Sequence, residues 1–209
     1  MKVFCCVLLL VAGLALGTSA PAHEDCQEHT KVMPLSDLSK LHGKMNFIMG
    51  FNGHKLERHV VELMNSGTIH LAAAEHGGVI LTQELKVNGT CMHLVINATI
   101  EHDTAVGNIM DVLTNRYTLY ESPDGTLVTA VNSTHTKAKT FLKRFSVDKE
   151  FDGEDELNTR SFYVFANEKV VSDETKEHFK KQAACLGFHD PPSFIYDGVT
   201  DICPPPETH

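Results

Sequence analysis

Apolar residues along most of this chain recur at every second position, the period of a strand with one buried face. In LHGKMNFIMGF, residues 41–51, Met45, Phe47, Met49 and Phe51 form such a row behind Gly43, with Lys44 and Asn46 among the residues between them. VILTQELKV places Val79, Leu81, Gln83, Leu85 and Val87 on one face and Thr82, Glu84 and Lys86 on the other. CMHLVINATI repeats the pattern with Met92, Leu94, Ile96, Ala98 and Ile100, and TLVTAVN with Leu127, Thr129 and Val131. RSFYVFAN is apolar on both faces, as a strand is when one side meets an interior and the other lies under a covering element. Turn formers at Asn52-Gly53, Ser66-Gly67, Gly77-Gly78, Asn88-Gly89, Pro123-Asp124-Gly125 and Asp152-Gly153 separate runs of strand length. Many short strands at this spacing predict a sandwich or a barrel.

One stretch changes period. In SDETKEHFKKQAACLG, Phe179, Ala183 and Leu186 recur at helical spacing. Ser172 stands as N-cap, Asp173 and Glu174 favour the positive end of the helix dipole, and Gly187 supplies a stop. The stripe is narrow, so this helix packs against something larger.

The two ends of the chain need separate treatment. Lys2, the apolar run Val3–Leu16 and the A-x-A spacing of Ala20 and Ala22 read as a secretory signal peptide, residues 1–22. The run is too short for a membrane span. Removing 22 of the 209 residues leaves 187, enough for one sizeable core, residues 23–209. Four cysteines then remain, Cys26, Cys91, Cys185 and Cys203, which in a secreted chain read as two disulfides with three pairings open. Acceptor sequons begin at Asn88, Asn97 and Asn132. Glycans at Asn97 and Asn132 would point to solvent, which agrees with the inside and outside faces assigned above.

The formal net charge of −9 disfavours nucleic acid and anionic membrane as partners, and no later stretch is apolar enough for stable membrane insertion. The acidic cluster Glu150–Glu156 reads as a solvated loop. No G-x-S-x-G, C-x-x-C or H-E-x-x-H motif is present, so no catalytic residue is assigned and the chain is not expected to be an enzyme. The histidines are scattered, with His76 and His135 near turns, and read as solvated surface. Neither a metal site nor a cofactor is expected.

LHGKMNFIMGF resembles the opening strand of the lipocalin family, and FANEKVVSDETKEHFKKQAACLGFHDPPSFIYDGVTDIC resembles the last strand, helix and final cysteine of the orosomucoid (alpha-1-acid glycoprotein)-like lipocalins. That group extends to fish plasma proteins that bind tributyltin and others that bind tetrodotoxin or saxitoxin. Met45 stands where the family carries its signature tryptophan, and the chain has no tryptophan. The resemblance implies an all-β, eight-stranded antiparallel up-and-down barrel with one C-terminal α-helix packed outside. It implies a secreted plasma carrier that holds a small hydrophobic or amphiphilic molecule. The alternative it offers is an immunomodulatory glycoprotein acting through its surface. Within the barrel, Phe47 and Met49 on the opening row, Val61, Met64, Ile69 and Leu71 after it, and Gln83, Met92, Leu94, Phe145, Tyr163 and Phe165 are the implied ligand-binding residues, Phe145 lying on the strand before the last. The implied disulfides are Cys26–Cys185 and Cys91–Cys203. The acidic chain, and inward rows without arginine, favour an uncharged or singly cationic guest over a fatty acid. Lys143 opposes this if it shares a strand face with Phe141 and Phe145.

Overall fold

The alternating rows close into a cylinder. The computed structural model describes residues 23–35, 43–74, 77–146 and 152–204. The strands are β1 (Gly43–Asn52), β2 (Met64–Ala73), β3 (Val79–Val87), β4 (Thr90–Glu101), β5 (Thr104–Ile109), β6 (Leu113–Tyr120), β7 (Thr126–His135) and β8 (Leu157–Ala166). Each pairs antiparallel with the next. β1 pairs with β8 from Asn46↔Ala166 to Asn52↔Ser161, and with β2 from Gly43↔Leu71 to Asn46↔Thr68, which closes the barrel. A two-residue β9 (Phe194–Ile195) pairs with β1 at Met49 and Gly50, beyond the point where β2 leaves it. The expected eight-stranded up-and-down barrel is therefore the fold.

The turns follow from their residues. Asn88 and Gly89 join β3 to β4 with φ of 47° and 79°, the left-handed pair that a two-residue hairpin requires. Ser66-Gly67, in contrast, is no turn: both residues lie within β2, where a Cβ on Gly67 would meet Leu85 and Met64 at 3.2 Å.

Four helices are described rather than one: α1 (His23–His29), α2 (Lys55–Glu62), α3 (Ala138–Lys143) and α4 (Asp173–Cys185). α4 is the expected C-terminal helix. Ser172 caps it by accepting from the Thr175 N–H at 3.1 Å, and Gly187 ends it with φ of 89°. Its Phe179 and Ala183 are fully buried, and so are Phe162 and Val164 on the outer face of β8. RSFYVFAN is thus apolar on both faces because Tyr163 and Phe165 face the interior while Phe162 and Val164 lie in the outer core. Phe162 contacts Phe51 and Phe188, with ring centroids 5.7 and 6.0 Å away. The Gln182 amide donates to the carbonyls of His29 and Glu121, which ties α4 to α1 and to the end of β6. Both implied disulfides are formed, Cys26–Cys185 between α1 and α4, and Cys91–Cys203 between β4 and the tail.

The opening row does not keep its parity. The β1–β8 register shifts between Phe47 and Met49, so Ile48 is an extra residue, a β-bulge. Phe47 faces the interior; beyond the bulge, Gly50 and Asn52 do so, and Met49 and Phe51 turn to the buried outer face. A Cβ on Gly50 would lie 2.8 Å from the tip of the Phe47 ring, so a side chain there would displace that ring. The signal-peptide residues and His76 lie outside the described residues, as does the start of the acidic cluster. The remainder of that cluster, from Asp152, is a loop.

Candidate functional site

At the end of the barrel where β1, β3, β5 and β7 finish, two short helices replace plain loops. α2 follows β1 directly. His54 caps it by accepting from the Leu56 N–H at 3.2 Å, and Leu56, Glu57, Val60 and Val61 form its buried face. α3 follows β7 and buries Ala138, Phe141 and Leu142. Beneath these helices lies a cavity of about 170 Å³. On that measure a single water needs about 10–15 Å³, so the space holds on the order of ten waters or a small organic molecule.

The walls differ in character. From β2 to β5 they are mainly aliphatic, with Ile69, Leu71, Val79, Leu81, Leu85, Leu94, Ala98, Ala105 and Ile109, and Gln83 as the one polar side chain among them. Towards β6–β8 and α2 polar groups join the apolar ones: Asn115, Tyr117, Ser133, His135, Tyr163 and Glu57. Ser133 donates to Asn115 at 2.8 Å, and the Asn115 amide donates to the Tyr117 hydroxyl at 2.9 Å. The Asn52 amide donates to Ser161 at 2.9 Å and to the Tyr163 hydroxyl at 3.1 Å. Burial pushes the Tyr117 phenol up to about 12, against the hydrogen bond from Asn115. Tyr163 is driven up further, first by burial and then by the negative charge of Glu57. Both phenols therefore stay neutral and act as hydrogen-bonding groups.

Glu57 is the acidic group of this lining, on a residue 8% exposed. Its Oε1 accepts from His135 Nε2 at 2.8 Å and from the Thr159 hydroxyl. These contacts join α2 to the end of β7 and the start of β8. Neither lysine nor arginine lines the cavity among the described residues.

Ten of the twelve implied ligand-binding residues line this cavity: Phe47, Val61, Met64, Ile69, Leu71, Gln83, Leu94, Phe145, Tyr163 and Phe165. Two do not. The Ile48 bulge carries Met49 to the outer core. Met92 shares the inward face of β4 but sits at its start, half-buried, beyond the cavity wall. Phe145 reaches the cavity by a route other than the expected strand: residues 138–143 form α3, and Phe141 and Phe145 meet as a helical i, i+4 pair with centroids 5.0 Å apart. The same geometry sends Lys143 to solvent, which removes the conflict that a strand would create. Met45, in the place of the missing tryptophan, is 1% exposed and pairs with Ile69. His135, read as solvated, is 1% exposed.

The polar end of the site was not foreseen. For His135 a signal existed, since it continues the inward row Leu127, Thr129, Val131, Ser133. For Glu57 the signal was weaker: Leu56, Val60 and Val61 mark a helical stripe in HKLERHVVE, but nothing local tells that a glutamate beside them is buried. The asparagines of the three sequons, Asn88, Asn97 and Asn132, are all exposed.

No family model matches the chain, and no curated protein matches its sequence. Solved structures do resemble it. A dog lipocalin allergen matches with a TM-score of 0.56 at 16% identity, over 78% of this chain and 97% of that one. The odorant-binding protein OBP1 matches with a TM-score of 0.51 at 10% identity, over 75% and 88%. The siderocalin Ex-FABP aligns at 13% identity with a TM-score of 0.48, over 72% and 89%. At such identities the likeness is one of fold. The closed barrel, the outer helix and the first two of these neighbours together make the chain a protein of the lipocalin fold.

Proposed function

We propose that this protein is a secreted carrier that holds a small hydrophobic or amphiphilic molecule inside its barrel. The observation that carries the reading is the cavity of about 170 Å³ beneath α2 and α3, mainly apolar, with most of its hydrogen-bonding groups gathered towards β6–β8 and α2. Apolar space of this kind favours an apolar guest, and Met64 in the wall adapts its shape readily. One neighbour in fold is named for binding odorants. The resemblance of the C-terminal stretch to orosomucoid-like proteins supports an extracellular, plasma role, with tributyltin-, toxin- or drug-like guests as the class. The reading includes removal of residues 1–22, and two disulfides suit an oxidising compartment. Displacement of a neutral fluorescent apolar probe from the folded protein tests it. Uptake at micromolar protein and competition by small amphiphiles are expected; a folded protein that takes up no probe refutes the carrier reading.

A second reading rests on the three exposed sequon asparagines: an immunomodulatory or surface-interacting glycoprotein whose glycans matter more than its cavity. Native mass spectrometry of protein purified from its source separates the two. A retained small molecule supports the carrier, whereas an empty, heavily glycosylated chain supports the surface role.

A further inference from the structure

We infer that Glu57 reads the head group of the guest: the cavity selects an amphiphile whose polar end is an N–H-donating ammonium, held at the α2 end of the barrel. The inference rests on the carrier reading and narrows it.

Three buried polar atoms at that end lack hydrogen-bond partners. Glu57 Oε2 has no hydrogen-bond partner, although Oε1 of the same carboxylate is occupied by His135 and Thr159. The nearest group to Oε2 in the structure's ion pairs is His54 Nδ1 at 4.0 Å, and that nitrogen already accepts from the Leu56 N–H, so it presents no proton. His135 Nδ1 is likewise buried and unpartnered. Asn52 Oδ1, just behind the lining, is the third, since the amide of that residue donates to Ser161 and to Tyr163 of the wall while its oxygen has no donor. A buried acceptor without a donor is costly, and a carboxylate oxygen most of all. The lining supplies no lysine or arginine among the described residues.

A negative charge with an unpartnered oxygen thus stands at one end of the cavity, with a mainly aliphatic wall opposite. A guest with an ammonium head and an apolar tail meets both requirements. Its N–H groups form charge-assisted hydrogen bonds to Glu57, and its tail lies along β2–β5. An alcohol of the same length supplies one neutral donor. A carboxylate meets like charge. A quaternary ammonium carries the charge but no N–H, which separates hydrogen bonding at Glu57 from the general attraction of an acidic protein for cations.

The test is displacement of a neutral apolar probe, at neutral pH and physiological salt, by octylamine, octanol, octanoic acid and octyltrimethylammonium. Octylamine is expected to bind at least tenfold more tightly than octanol and octyltrimethylammonium, with octanoic acid weakest. In Glu57→Gln, checked for folding by near-UV circular dichroism, the ratio of octylamine to octanol affinity should fall to within about threefold of unity. The inference is overturned if octylamine and octanol compete equally in the wild-type protein, if the quaternary ion matches the amine, or if the advantage survives in Glu57→Gln. Because the wild-type comparisons need no variant, a misfolded Glu57→Gln does not rescue it. Failure of the probe and of octanol to bind at all refutes instead the carrier reading beneath it.

Discussion

Replacing His135 by leucine should cost far more stability than removing one hydrogen bond. The imidazole is 1% exposed and donates to a glutamate that is itself 8% exposed, while the Thr159 hydroxyl is the other donor to that carboxylate. Without the histidine, the charge keeps its burial and loses one of its two hydrogen-bond partners. Breaking a buried pair in this way costs about 3–5 kcal/mol. With a urea dependence of about 2 kcal/mol/M, the midpoint of unfolding falls by about 1.5–2.5 M. The second half of the prediction is the sharper one. Adding Glu57→Leu to His135→Leu removes the stranded charge, so the double variant should recover most of the loss and unfold within about 0.5 M of the wild-type protein, as apolar replacements of buried ion pairs do. The assay is equilibrium urea unfolding followed by near-UV circular dichroism, with both disulfides intact. A loss under about 1 kcal/mol for His135→Leu refutes the reasoning, because the carboxylate would then be finding water when its partner leaves. So would a double variant as unstable as the sum of the singles.

Three further outcomes follow from described features. Removing Cys91–Cys203 by paired alanine substitution should cost about 2–5 kcal/mol, since the bridge spans 112 residues, and non-reduced peptide mapping of the wild-type protein should return Cys26 with Cys185 and Cys91 with Cys203. Burial raises the Tyr117 phenol to about 12 and Tyr163 beyond it, and a group raised in the folded state stabilises fully below its unfolded value, near 10. Stability should therefore fall as pH climbs from about 10 to 12, and tyrosinate absorbance should show these two rings ionising with unfolding rather than before it. On the outer face, Glu84 is pushed up by partial burial, but Lys44 at 2.5 Å and the Thr68 hydroxyl outweigh this and hold its carboxyl below the usual range. Its small contribution is present above the unfolded value and lost on acidification through the folded one, and Lys44→Met should raise its NMR titration midpoint.

The barrel itself was legible because a strand with one wet face writes its geometry into alternate residues. In β3 and β7, Val79, Leu81, Gln83 and Leu127, Thr129, Val131 occupy the walls that parity assigns them, and α4 begins and ends at its capping residues. Legibility failed where geometry is set by contacts distant in sequence. The Ile48 bulge reverses the parity of β1, and MNFIMGF carries no mark of it, because both faces of that strand are buried and both are therefore apolar. Phe141 and Phe145 satisfy a period of two and a period of four equally well, so α3 passed for a strand. Glu57 was hidden for a different reason. A charged residue on a short helix is ordinarily solvated, and only the positions of His135 and Thr159, contributed by strands some 78 and 102 residues away, make its burial tolerable.

The tail that fills the seam beside β1 also sets an order of events during synthesis. β1 meets β2 over only four residue pairs, while its long ladder is with β8, and its free stretch is covered by β9. At about 5–20 residues per second, β8 emerges on the order of ten seconds after β1. Over that interval a strand apolar on both faces has no lasting partner. Cysteine pairing runs into the same delay. Cys26 and Cys91 emerge first, yet each belongs to a thiol in the last stretch of the chain. Early oxidation would join them to one another, and that bond would have to be exchanged before the barrel could close. A nascent chain of this design gains from an environment that keeps β1 from aggregating and delays or reshuffles its disulfides until the final residues arrive.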